Sequence, residues 1–263
     1  MANLATTFAG IKSPNPFWLA SAPPTDKAYN VNRAFEAGWG GVVWKTLGEA
    51  GPPVVNVNGP RYGALLTPDR RLMGFNNIEL ITDRDLELNL REITEVKRNW
   101  ADRAMVVSLM VPCEEKSWKA ILPRVEDTGA DAIELNFGCP HGMSERGMGA
   151  AVGQVPEYIE MVTAWCKQYS KLPVIVKLTP NITDIRQPAA AAKRGGADAV
   201  SLINTITSIM GVDPDTLTMT PATGGYGSHG GYCGPAVKPI ALNMVSQIGR
   251  APETAGLPIS GIG

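Results

Sequence analysis

Short apolar runs alternate with longer stretches in which apolar residues recur at helical spacing. Phe17 to Ser21, Gly41 to Thr46, Ala104 to Val111, Ala132 to Phe137, Pro173 to Thr179 and Ala199 to Thr205 each predict a strand. All are short and apolar, and turn residues bound them. Between them the pattern predicts helices over about 29–37, 83–99, 114–128, 155–169 and 184–194, and another from about Pro235 to Gly249. Residues 52–66 read as an excursion with hairpin character, and 206–233 as a glycine-rich stretch. Leu257 to Gly263 opens a seventh strand. Two segments, Thr128-Gly129-Ala130-Asp131-Ala132 and Gly195-Gly196-Ala197-Asp198-Ala199, repeat one device: a helix stopped by glycine, a turn, then an inner strand.

Strands that alternate with helices imply an α/β fold with a parallel sheet. Seven strands fit a (β/α)8 TIM barrel truncated after the start of its seventh strand, with residues 1–263 forming one domain. A closed barrel needs one more β/α unit. The expectation is therefore an N-terminal part of a longer polypeptide.

An apolar fraction of 44% is ordinary for a globular protein, and a formal net charge of −1 offers nucleic acid no basic surface. No run is long enough to span a membrane, and no secretory signal opens the chain. The four cysteines, Cys113, Cys139, Cys166 and Cys233, have neither metal-binding nor redox-pair spacing. The expectation is a reduced, cytoplasmic protein without a metal site.

Candidate chemistry gathers in the loop from Asn136 to Gly149, where Cys139, His141, Glu145 and Arg146 follow a strand among four glycines. Loops held by a rigid strand commonly carry function. Barrel enzymes place their sites at the C-terminal ends of strands. Those ends here hold Lys45-Thr46, Asn136, Lys177 and Asn204-Thr205. Singly, each has a plainer reading as a turn residue, a solvated terminus or an inert thiol. Two lysines within apolar strands change the balance, because a buried ammonium needs an anion or acceptor. A flavin supplies both.

The loop Asn136-Phe137-Gly138-Cys139-Pro140-His141-Gly142-Met143-Ser144-Glu145-Arg146-Gly147-Met148-Gly149 closely resembles the active-site loop of dihydropyrimidine dehydrogenases. Residues 74–81, 176–184, Asn204-Thr205 and 234–242 resemble that family's other blocks, in order. The likeness extends to bacterial subunits that hold FMN and pyrimidine and work with a separate NAD(H)/FAD subunit. The resemblance implies reversible reduction of uracil or thymine to 5,6-dihydropyrimidines in pyrimidine catabolism. Reduced FMN would deliver hydride to C6, and Cys139 would protonate C5. Asn77, Asn136, Asn204 and Thr205 would bind the pyrimidine. Ala20, Ser21, Lys45, Thr46, Lys177, Gly234 and Gly263 would bind the flavin, with Lys177 at its N1/O2 edge. His141, Glu145 and Arg146 would belong to the active-site loop. The resemblance also implies an oligomer and 4Fe-4S clusters in a C-terminal part outside this chain. Gly138 and Cys233 depart from the family pattern, which more usually has serine at both positions.

Two other readings stand beside this one. A dihydroorotate dehydrogenase would share the barrel and FMN, but orotate carries a carboxylate that needs extra donors. A non-catalytic barrel module would be expected to lack flavin.

Overall fold

The computed structural model describes residues 3–49, 54–59, 61–140 and 143–262. Its centre is a sheet of seven parallel strands in chain order. They are β1 (Trp18–Leu19), β2 (Gly41–Leu47), β3 (Ala104–Leu109), β4 (Ala132–Asn136), β5 (Val174–Lys177), β6 (Ala199–Leu202) and β7 (Ile259–Gly261). Helices α1 (Ala28–Glu36), α2 (Leu86–Asn99), α3 (Glu115–Glu126), α4 (Pro156–Tyr169), α5 (Arg186–Arg194) and α6 (Lys238–Arg250) form the crossovers. The predicted strands and helices all form, each within a few residues of its expected bounds. None of the described helices is long and apolar enough to cross a membrane.

Alternation along the strands sorts the core into two faces. Val42, Trp44, Met105, Val107, Ile133, Leu135, Val174 and Val176 pack in one cluster with apolar residues of the helices. Val43, Val106, Ala132, Ile175 and Ala199 point the other way, into the barrel, where they meet Ile11. Ile11 belongs to an N-terminal hairpin, Thr6–Phe8 with Ile11–Ser13, which the apolar pattern had not revealed. At the next inward position of the same five strands stand Lys45, Ser108, Glu134, Lys177 and Ser201, all buried. The barrel therefore has an apolar layer at one end and a polar layer above it.

The repeated Gly-x-Asp segments share one geometry. Gly129 and Gly196 have φ of +77° and +90°, a conformation that suits glycine after a helix. Asp131 Oδ2 then accepts from Met105 N at 2.8 Å and from Lys97 Nζ at 2.7 Å. Asp198 Oδ2 accepts from Val174 N at 2.7 Å and from Lys167 Nζ at 2.8 Å. Each aspartate ties the start of its own strand to the start of the preceding one and to the helix before that.

The excursions differ most from expectation. The hairpin lies at Tyr62–Leu66 with Leu72–Asn77, later than the 52–66 span, of which 52, 53 and 60 fall outside the described residues. Gly231 to Cys233 pairs with Asn77 to Phe75, and Gly230 to Tyr232 with Ser208 to Ile206. The glycine-rich stretch thus joins the hairpin in a four-stranded antiparallel sheet of order Ile206–Ser208, Gly230–Cys233, Leu72–Asn77, Tyr62–Leu66. Its strands mix Gly, Asn and exposed apolar residues, so the period-two signal is blurred.

Asp198→Ala is expected to lower the unfolding free energy by roughly 1.5–3 kcal/mol, because a charged acceptor is removed from a strand N–H. Lys167→Ala should cost under about 1 kcal/mol, since the pair is partly solvated. Urea midpoints at constant slope check the order; an equal or reversed effect would count against the strand tie.

Candidate active site

A cavity of about 770 Å³ opens at the C-terminal ends of the parallel strands, a size suited to a small-molecule ligand. The antiparallel sheet supplies one wall, through Tyr62, Phe75, Asn77 and Cys233. Of the expected site residues, Ala20, Ser21, Lys45, Thr46, Asn77, Asn136, Cys139, Lys177, Asn204, Thr205 and Gly234 all line it. Arg146 is exposed and stands off the cavity; with Glu145 it falls in the 3₁₀ turn Ser144–Arg146. His141 and Gly263 lie outside the described residues.

A break in strand pairing brings neighbours to the same place. The register of β2 against β3 shifts between Trp44 and Leu47. Such irregularities re-aim side chains, and here the consecutive Lys45 and Thr46 both reach the cavity.

The Asn136 carboxamide sits at the centre of the polar network. Its Nδ2 donates to Thr46 Oγ1 at 2.9 Å. Its Oδ1 accepts from Gly138 N at 3.2 Å and from Asn204 Nδ2 at 2.9 Å. These partners set which way the amide faces, and leave one N–H for a ligand. Thr46 Oγ1 also meets Ser21 Oγ and Ser108 Oγ, each at 3.0 Å. One hydroxyl offers a single donor and two acceptor sites. Thr46 therefore lines the cavity with its hydroxyl already committed to the protein. Asn204 Oδ1 accepts from Thr205 N at 2.8 Å, which sets the turn that presents Thr205. Asn77 Oδ1 accepts from Glu79 N at 3.3 Å, and Asn77 Nδ2 donates to Gly231 O at 3.3 Å.

Gly138 is needed for close approach. A Cβ there would stand 2.3 Å from Asn204 Nδ2. The Asn204 amide occupies the space that a side chain at position 138 would take, so the departure at Gly138 shapes the site. The Cys139 carbonyl accepts from Ala150 N at 3.0 Å and Ser144 Oγ at 2.8 Å, which anchors the main chain beneath the thiol.

The two strand lysines find different environments. Lys45 Nζ forms an ion pair with Glu79 Oε1. Arg61 Nη1 approaches the same oxygen at 3.6 Å, and Tyr62 OH donates to Glu79 Oε2. Burial and the Glu79 carboxylate hold the Tyr62 phenol above its ordinary value. Glu79 and Tyr62 were not among the expected site residues. Glu79 falls inside the 74–81 block, and the need of Lys45 for an anion was the signal that could have found it. Lys177, 5% exposed, lines the cavity, and no ion-pair partner stands within 4.0 Å of it among the described residues. Beneath, Glu134 Oε2 accepts from Ser201 Oγ at 2.9 Å, while its buried Oε1 has no hydrogen-bond partner among the described residues. Among the described residues no group of three His, Cys, Asp or Glu side chains could hold a metal.

Parallel strands ringed by helices, with a cavity that carries a set of polar side chains at the strand C-terminal ends, define a TIM-barrel-type ligand site. The chain belongs to the dihydroorotate dehydrogenase family, whose model matches residues 3–263. It is 43% identical over 253 residues to the chloroplastic dihydropyrimidine dehydrogenase (NADP(+)) of Arabidopsis thaliana, covering 94% of this chain and 59% of that protein. It is 41% identical to the NAD-dependent dihydropyrimidine dehydrogenase subunit PreA of Escherichia coli, covering 99% of this chain and 62% of that one. The catalytic subunit of dihydroorotate dehydrogenase B from Lachnoclostridium phytofermentans is 34% identical, with 99% and 80% covered. The chain thus spans about six tenths of the length of the dihydropyrimidine dehydrogenases it matches. Among solved structures, a DHODH from Eimeria tenella in complex with ferulenol shares the fold, with a TM-score of 0.72 at 17% identity over 98% of this chain and 73% of that one.

Glu79→Gln is expected to cost about 3 kcal/mol, because it strands the Lys45 ammonium. Adding Lys45→Met should restore a large part of the loss. A double-mutant cycle in denaturant reads the coupling; additive costs would show that the two charges do not depend on each other.

Proposed function

We propose that this chain is the flavin- and pyrimidine-binding part of a dihydropyrimidine dehydrogenase. One observation carries the reading: Cys139 and the carboxamides of Asn77, Asn136 and Asn204, with Thr205, line one cavity. A pyrimidine presents alternating donors and acceptors on its imide edge, and an amide matches either kind. The greater identity to dihydropyrimidine dehydrogenases than to dihydroorotate dehydrogenase B, 43% and 41% against 34%, supports it further.

The cavity suits FMN. Lys177 offers a cation to the flavin N1/O2 edge. Gly234 precedes the helical segment Pro235–Arg250, and its lack of a side chain lets a phosphate approach the backbone there. Lys45, Ala20, Ser21 and Thr46 complete the flavin wall. Bound flavin supplies the hydride that reaches pyrimidine C6. Cys139 delivers the proton to C5. An ordinary thiol, with a pKa of about 8.5, is mostly protonated near neutrality and can act as an acid. Asn136, with one N–H left, holds the ring beside that thiol, and Asn77, Asn204 and Thr205 hold its other edges. A site built on such matched pairs rejects rings that lack the edge.

In the whole protein, electrons come from NAD(H) through a separate FAD-bearing subunit and 4Fe-4S clusters outside the residues described here. The assembly is an oligomer in the cytoplasm.

Cys139→Ala is expected to keep flavin and uracil binding and to lose about 10²–10⁴-fold in turnover. Unchanged turnover removes the proton-donor role. A steady-state comparison of uracil with dihydroorotate tests the substrate class; turnover of dihydroorotate alone overturns it. Lys177→Met is expected to weaken flavin retention or slow flavin reduction. Full flavin content with normal half-reaction rates would show that Lys177 does neither.

A further inference from the structure

We infer that Asn181, which stands outside the cavity, is a positioning residue that holds the Thr205 segment at a set height against the Cys139 loop. Its side chain works as a piece of borrowed strand edge. Asn181 Nδ2 donates to Thr205 O at 3.1 Å, and Asn181 Oδ1 accepts from Thr207 N at 2.9 Å. Thr205 and Thr207 are alternate residues of one extended segment, so a single carboxamide pairs with it as a neighbouring backbone would. The amide is itself steadied, since Thr179 Oγ1 accepts from Asn181 N at 3.2 Å and from Asn181 Nδ2 at 3.3 Å.

The other side of Asn181 reaches the loop. Gln154 Nε2 donates to Asn181 O at 3.0 Å. Gln154 N in turn donates to Ala150 O, and Ala150 N donates to Cys139 O, both at 3.0 Å. From Thr205 the path continues through Asn204 to the Asn136 amide. The Gly138 N–H bond to Asn136 and the peptide link from Gly138 to Cys139 close this path around the substrate end of the cavity, and Asn181, with Gln154, joins its two halves from behind. Aspartate cannot replace it, because an ionised carboxylate has no donor for Thr205 O and would repel it.

This inference rests on the pyrimidine reading of Thr205 and Asn204. The test uses the flavin-loaded holoenzyme with uracil. Flavin absorbance on titration gives the dissociation constant. Single-turnover reoxidation of the reduced enzyme gives the limiting rate and the half-saturating uracil concentration. Asn181→Asp should raise both concentrations about 10-fold, the effect of one lost hydrogen bond. The limiting rate and the flavin content should stay within about 2-fold. Gln154→Ala, which removes one exposed link and leaves the barrel alone, should move the half-saturating concentration the same way by about 3-fold. Unchanged uracil affinity in both variants overturns the clamp. Loss of flavin and thermal stability together in Asn181→Asp, with no shift in Gln154→Ala, also overturns it, since a bulk structural role would then suffice. Wild-type enzyme that does not respond to uracil overturns the pyrimidine reading, and the clamp with it.

Discussion

A buried carboxamide must use its donors and acceptors or lose free energy. That requirement, applied to Asn136, organises the mouth of this barrel. Its oxygen holds the Gly138 backbone and the Asn204 side chain, and its nitrogen holds Thr46. Three chain segments that are remote in sequence therefore share one anchor: the end of β2, the loop after β4 and the turn after β6. Gly138 permits the contact, since any side chain there would meet Asn204. Thr46 extends the anchor to Ser21 after β1 and to Ser108 on β3. Networks of this kind act as a unit, because each polar group fixes the orientation of the next.

Below this network, the inward layer of Lys45, Ser108, Glu134, Lys177 and Ser201 is costly to bury. Lys45 is offset by Glu79, from the antiparallel excursion, so the excursion serves the barrel electrostatically as well as covering it. Lys177 and Glu134 have no such ion pair among the described residues, and the Glu134 Oε1 atom is buried without a partner. Native sites keep groups of this kind where function needs them. The strand ends in this chain are consequently places where stability has been exchanged for a polar cavity floor.

The strands and helices were legible because a parallel sheet covered on one face by helices leaves clear apolar runs, such as Val106-Val107 and Val174-Ile175-Val176. Most of the site was legible for a related reason: polar residues that close an apolar strand must lie at its C-terminal end. The 62–77 hairpin was not, since Gly74, Asn76 and Asn77 lie inside its second strand and read as turn residues. The repeated Gly-x-Asp segments were visible as helix stops. That their aspartates bridge a strand N–H and a lysine was not, because Lys97 and Lys167 are each some thirty residues upstream.

By itself, then, the order of residues determined the alternation of strands and helices and the end at which chemistry would collect. Those properties follow from local periodicity and from the fixed polarity of a β/α unit. Only the tertiary structure decided which anion accompanies Lys45, which hydroxyls are already spent and which amide sits in the space above Gly138. These are contacts between segments far apart in the chain. They depend on strand register, on the shift between Trp44 and Leu47 and on the approach of the antiparallel sheet, none of which a residue's neighbours in sequence specify.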